Sequence, residues 1–152
     1  MESIAFKVGE HISYSLLELS EIKSINPLYI EVNYDKVKTI EFSNGPLNAT
    51  IPQAISKLEE SDNKNAAIIL PVEIKESNKL YNALLAVIHN YVDDYDLKIS
   101  IKYNFDKKGL NVGQYELLEY NNLFESELKQ IETEFVRGLL TPKLSQNLWI
   151  SK

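Results

Sequence analysis

Residues 66–70 read AAIIL, an unbroken apolar run that meets Pro71 at its end. A strand with one wet face alternates polar and apolar side chains, so a run without alternation predicts a strand covered on both faces, in the middle of a sheet. The chain must therefore supply further strands beside this one and layers above and below it. Pro71, which cannot donate to a ladder, is expected to bulge or end the strand.

The flanking segments carry strand and helix signals. Leu28, Ile30 and Val32 alternate with polar residues, and after Asp35-Lys36 the alternation resumes through Ile40 and Phe42, which predicts a hairpin. Ile4, Phe6 and Val8 alternate before Gly9-Glu10, and Ile12, Tyr14 and Leu16 after it, which predicts another hairpin at the start of the chain. A competing reading places a short helix over residues 15–22, with Ser15 and Glu18 at capping-box spacing. Thr50-Ile51-Pro52-Gln53 combines a capping residue, an early proline and a Gln three positions after the Thr, so a helix is expected over residues 51–60, burying Ile51, Ala54, Ile55 and Leu58.

Over residues 77–92, Leu80, Leu84, Val87, Ile88 and Tyr91 fall on one helical stripe, and Leu97, Ile99 and Ile101 then alternate as a strand. Strand, helix and strand in succession permit a parallel crossover. Lys107-Lys108-Gly109 and Gly113 predict a basic hairpin loop, lacking the Gly-Lys-Ser/Thr ending of a phosphate loop. Leu117, Phe124, Leu128, Ile131 and Phe135 recur at helical spacing, predicting a long amphipathic helix. The segment 139–152 is too apolar to stand in water and should dock on the core or on a partner. The expected fold is one α+β domain over residues 1–152. Its sheet would be mixed, built from N-terminal antiparallel hairpins and the strand–helix–strand unit, with the long helix at the C-terminal end.

Composition narrows the chemistry. The 152 residues contain no cysteine, which excludes disulfide scaffolds, thiolate nucleophiles and cysteine-ligated metals. With 22 acids against 16 bases the net charge is −6, which works against a phosphate backbone as partner, and no nucleic acid is expected. Residues 1–8 lack the pattern of a signal peptide and no apolar run approaches the roughly 20 residues of a membrane span, so a cytoplasmic chain with no membrane contact is expected. Abundant Ile, Lys and Asn point to an AT-rich, bacterial or phage genome.

No residue pattern names a reaction or a cofactor. His89 precedes Asp93 by one predicted helical turn, a spacing at which a carboxylate can orient an imidazole, but a half-exposed helix histidine is the far simpler reading. An enzyme pocket assembled from His89, Tyr91, Asp93 and Lys107 stands as one alternative. Asp93-Asp94-Tyr95-Asp96 lacks the Gly and terminal Glu of a calcium loop, and no metal site is expected.

Charge distribution says more. Residues 91–134 carry ten acids and five lysines, whereas residues 135–152 carry three bases and no acid. Tyrosines stand among the acids, giving a candidate binding set of Tyr91, Asp93, Asp94, Tyr95, Asp96, Tyr115, Glu116, Glu119 and Tyr120, with Phe124 close by in sequence. Tyrosine brings a large contact area at low entropic cost and carboxylates steer a cation inward. The expectation is a non-enzymatic module that occludes a basic protein, the role played by immunity proteins that neutralise bacterial toxins, some of them nucleases. The alternatives are a structural protein that oligomerises through its C-terminal helix and tail, and tyrosines that are merely core residues beside the wet face of a helix.

Overall fold

The computed structural model describes residues 3–34, 36–61 and 64–142. In chain order it contains α1 (Ile4–Ile22), β1 (Leu28–Asn33), β2 (Lys36–Glu41), α2 (Leu47–Glu59), β3 (Asn65–Glu76), β4 (Lys79–Asn90), β5 (Tyr95–Asp106), β6 (Gly109–Asn121) and α3 (Glu125–Leu140). The strands form one sheet in the order β2-β1-β3-β4-β5-β6, and every neighbouring pair is antiparallel. The fold is α+β with a C-terminal amphipathic helix, and the sheet is not mixed, because the expected parallel crossover does not occur.

The run at 66–70 occupies the place its pattern predicts. Ala67 and Ile69 belong to the core under α1 and α3, while Ala66, Ile68 and Leu70 belong to a second core under α2. Pro71 does not end the strand: β3 continues to Glu76, with Pro71 opposite Leu84. The hairpin of β1 and β2 also matches its alternation.

Two segments differ in kind from their patterns. Residues 4–16 are the first part of α1, since Ile4, Val8, Ile12, Leu16 and Leu19 form a helical stripe that is buried as a whole. Ser3 caps this helix by accepting from the Phe6 amide at 3.1 Å. Gly9, read from sequence as a turn, serves a different purpose. A Cβ built on Gly9 would lie 2.2 Å from the Phe135 carbonyl oxygen, and one built on Gly138 would lie 2.1 Å from that of Phe6. The two helices therefore cross backbone to backbone at reciprocal glycines, and Ser13 Oγ donates to the Leu139 carbonyl at 2.6 Å beside the crossing.

Residues 77–92 are a turn and a strand. Ser77 and Asn78 both have positive φ, 50° and 66°, as a two-residue hairpin turn of the kind that follows strand twist requires. Within β4, Leu84, Ala86 and Ile88 alternate inward, a period-2 pattern hidden inside an apolar stretch that also fits a helical stripe. The Lys107-Lys108 loop is only the turn between β5 and β6, and Gly113 lies in β6. α2 begins at Leu47, ahead of the expected Thr50 cap. α3 begins at Glu125, so Leu117 belongs to β6. Residues 143–152, most of the apolar tail, lie outside the described residues.

The two faces of the sheet are covered unequally. α1 packs on β1, β3, β4 and β6, with α3 packed against α1 and reaching β6 through Tyr115 and Phe135, whereas α2 covers the other face chiefly over β1 and β3. Under α2, Tyr29 is fully buried and its hydroxyl donates to Glu31 Oε1 at 2.6 Å and lies 2.6 Å from Ser61 Oγ. Burial, assisted by the bond to Glu31, pushes the Tyr29 hydroxyl up to about 12. Burial alone would raise Glu31, but the Tyr29 hydrogen bond and the lysines Lys64 and Lys38 outweigh it and hold the carboxyl below the ordinary range. This polar cluster fastens the end of α2 to β1.

Candidate protein-binding surface

The meander brings the β4–β5 turn, the end of β6 and the start of α3 to one end of the sheet. The turn is residues 91–94, and two asparagines shape it. Asn65, the first residue of β3, accepts from the amides of Tyr91 and Val92 at 2.9 and 3.2 Å, and Asn90 accepts from the Asp93 amide at 2.8 Å. With its backbone donors satisfied by side chains, the turn holds without packing its own apolar groups. Tyr91 and Val92 are consequently 55 % and 76 % exposed. Tyr120, opposite Leu97 in the register, is 50 % exposed, and Phe124, the N-cap residue of α3, is 79 % exposed.

Carboxylates stand at the same end of the sheet, with Asp96 and Glu119 on the face away from Leu97 and Tyr120. Asp93 and Asp94 stand exposed on the turn, Asp96 follows on β5, Glu119 lies on the last turn-ward part of β6, and Glu125 and Glu127 occupy the first turn of α3. Glu127 Oε1 accepts from the Phe124 amide at 3.0 Å, which fixes the start of the helix. Asp93 and Glu127 both line a crevice of about 460 Å³ between the turn and α3. Arg137, whose guanidinium pairs with Glu134 at 2.6 Å, lines the same crevice. Lys98 pairs with Glu119 at 3.0 Å, and the imidazole Nδ1 of His89 lies 2.7 Å from Asp96 Oδ1. Among the described residues no basic side chain pairs with Asp93 or Asp94.

Of the nine residues expected from sequence to form a binding face, Tyr91, Asp93, Asp94, Asp96, Glu119 and Tyr120 meet at this end. Tyr95 does not join them: it is 4 % exposed, and burial, against the opposing hydrogen bond of the Asn90 side chain, raises its hydroxyl pKa. Tyr115 is turned beneath α3, where its hydroxyl donates to Glu132 Oε1 at 3.1 Å and its ring meets Phe135 edge-on. Glu116 lies farther along β6, 3.5 Å from Lys102, an ammonium held also by Glu76 at 2.7 Å. For Tyr95 and Tyr115, then, the core reading applies. Val92 is the surface residue that sequence reasoning passed over, and its only signal was an apolar side chain beside three acids in a turn.

The histidine reading also changes. His89 sits on a strand and meets Asp96 on the neighbouring strand, not Asp93. Lys107 is at the opposite end of the 12-residue β5, roughly 35 Å away at strand rise, so His89, Tyr91, Asp93 and Lys107 do not converge. Among the described residues there is no group of three or more His, Asp or Glu placed to hold a metal ion. No described helix is long and apolar enough to cross a membrane. Comparison of the chain with protein-family models, with curated proteins and with solved structures returns no match.

Proposed function

We propose that this chain is a non-catalytic binding module that uses the acidic, aromatic end of its sheet to occlude a basic protein. The observation that supports this reading is the exposure of Tyr91, Val92, Tyr120 and Phe124 at one end of the sheet, with carboxylates at the same end on the β4–β5 turn, β5, β6 and α3. Apolar groups exposed singly are ordinary, but four at one end of the sheet, from a turn, a strand end and a helix cap, offer aromatic area beside acidic groups, the composition of a binding hot spot. The carboxylates complement a cationic surface and exclude an anionic one. A bacterial toxin with a cationic active site, neutralised by coverage, is the partner class this surface fits best, and a cytoplasmic immunity protein is the role we assign.

The test is affinity capture from cells of the source organism with the native chain and with two variants. Asp93→Lys with Asp94→Lys should abolish capture, and Tyr91→Ala with Phe124→Ala should weaken it by at least tenfold. Neither pair should move the unfolding free energy by more than about 0.5 kcal/mol, because exposed side chains away from packing contacts contribute little. Association with the captured partner should slow as ionic strength rises. Capture of the same partner by all three proteins would place the interface elsewhere.

A further inference from the structure

The two edges of the sheet are protected differently. β2 is six residues long and carries Lys36 and Lys38, a short charged edge that resists pairing with another strand. β6 is 13 residues long and contains no lysine, arginine or proline, and among the described residues no strand pairs with its outer side. Beside it a groove of about 600 Å³ opens between Tyr115 and Leu117 of β6 and Val136, Leu139 and Leu140 of α3. We propose that a second copy of this chain occupies this edge, with the two β6 strands pairing antiparallel about a two-fold axis at Gly113–Gln114.

The β6 sequence selects that arrangement. Its helix-side residues are Leu110 and Val112 before the register shift and Tyr115 and Leu117 after it, and all four pack against the main core. The shift, where Ile101 pairs with Tyr115 but Tyr103 pairs with Val112, puts the two halves out of phase by one residue. An antiparallel self-pairing keeps all four on one face only when centred on the shift. Leu110 then meets Leu117 of the second copy, and Val112 meets Tyr115. Other centres turn apolar residues against the polar row or leave half of them unopposed.

Charge points to the same solution. Basic Lys107 and Lys108 precede the strand and acidic Glu116 and Glu119 lie in its second half. Antiparallel pairing sets the basic start of each copy beside the acidic end of the other, twice, as an isologous interface requires. Parallel pairing would set like against like. The paired segment takes in Glu119 and Tyr120 of the candidate surface, opposite Lys108 and Lys107 of the second copy, whereas Tyr91, Asp93, Asp94 and Phe124 lie beyond it, so variants at those four residues and at the β6 edge test the two readings separately.

Sedimentation of the full chain over a concentration series should show a mass of twice the monomer, and Lys107→Glu with Lys108→Glu should raise the dimer dissociation constant at least tenfold. Because the chain has no cysteine, single cysteines report which edge is used. Gln114→Cys should form an intermolecular disulfide under mild oxidation, and Val37→Cys on β2 should not. A monomer at every concentration would overturn the proposal. So would a dimer that cross-links through position 37, or one indifferent to the charge reversal.

Discussion

Replacing Gly9 or Gly138 by alanine tests the packing of α1 on α3 most directly. In an unobstructed helix interior this change is favourable by about 1 kcal/mol, because glycine gives up more backbone freedom on folding. Here the new methyl carbon would stand 2.2 Å from the Phe135 carbonyl oxygen in Gly9→Ala, and 2.1 Å from the Phe6 oxygen in Gly138→Ala. A carbon and a carbonyl oxygen rest at about 3.3 Å, so the helices must separate by roughly 1 Å. No side chain can rotate aside, since backbone opposes backbone. A gap of that size forfeits a quarter to a half of the dispersion energy of the facing atoms. Overpacking at the upper end of its usual range, about 3–4 kcal/mol here, less the alanine preference, leaves a net loss of about 2–3 kcal/mol for each variant. One separation relieves both conflicts while the alanine preference is gained twice, so the double variant should lose about 1–2 kcal/mol, well short of the sum. Urea unfolding would show each single loss as a midpoint lowered by about 1 to 1.5 M at unchanged slope. A Gly9→Ala protein as stable as the native chain, or additive losses in the double variant, would refute the close crossing.

Two further perturbations address the second core and the β3–β4 turn. The lowered Glu31 pKa contributes stability that is complete above its unfolded value near 4.5 and is lost as the pH falls through the folded one. The raised Tyr29 pKa contributes stability that is complete below 10.0 and is lost as the pH rises toward about 12. Unfolding midpoints measured across pH should therefore fall at both ends, and Tyr29→Phe should reduce the alkaline fall, to which the raised Tyr95, Tyr103 and Tyr115 also contribute, while costing about 1–3 kcal/mol at neutral pH, from the hydrogen bonds withdrawn from Glu31 and Ser61. An unchanged alkaline limb would assign that titration to another group. At the turn, Ser77→Asn with Asn78→Gly should raise stability by up to about 1 kcal/mol, because Asn-Gly accepts two positive-φ positions more readily; thermal unfolding measures it, and a loss would mean another turn type.

The parts of the fold legible in the sequence are those where one periodicity stands alone. The run at 66–70 and the alternations of β1 and β2 have no helical counterpart, and Leu128, Ile131 and Phe135 have no strand counterpart. Residues 4–16 and 77–92 satisfy both periods, and what decides between them is distant in sequence. α1 is a helix because α3 offers a groove at Gly138, and β4 is a strand because β3 and β5 offer ladders on both sides. Within the candidate surface, the acids and Tyr91 were visible as a cluster along the chain. The inward turn of Tyr95 and Tyr115 follows from strand register, and the outward turn of Phe124 from the place where α3 begins, and neither is written in local composition.

The sheet is a near-sequential meander, so most of its pairings join neighbouring segments and can form as the chain lengthens. The reciprocal glycine crossing is of another kind, for Ser13 and Leu139 are separated by 126 positions. During synthesis at about 5–20 residues per second, α1 would wait roughly 6–25 s for its partner helix to emerge. α1 is thus made well before α3 and yet fully covered only after it. For that interval its apolar stripe must be sheltered by the growing sheet or by a chaperone, and a ribosome stalled in the second half of the message would leave it bare.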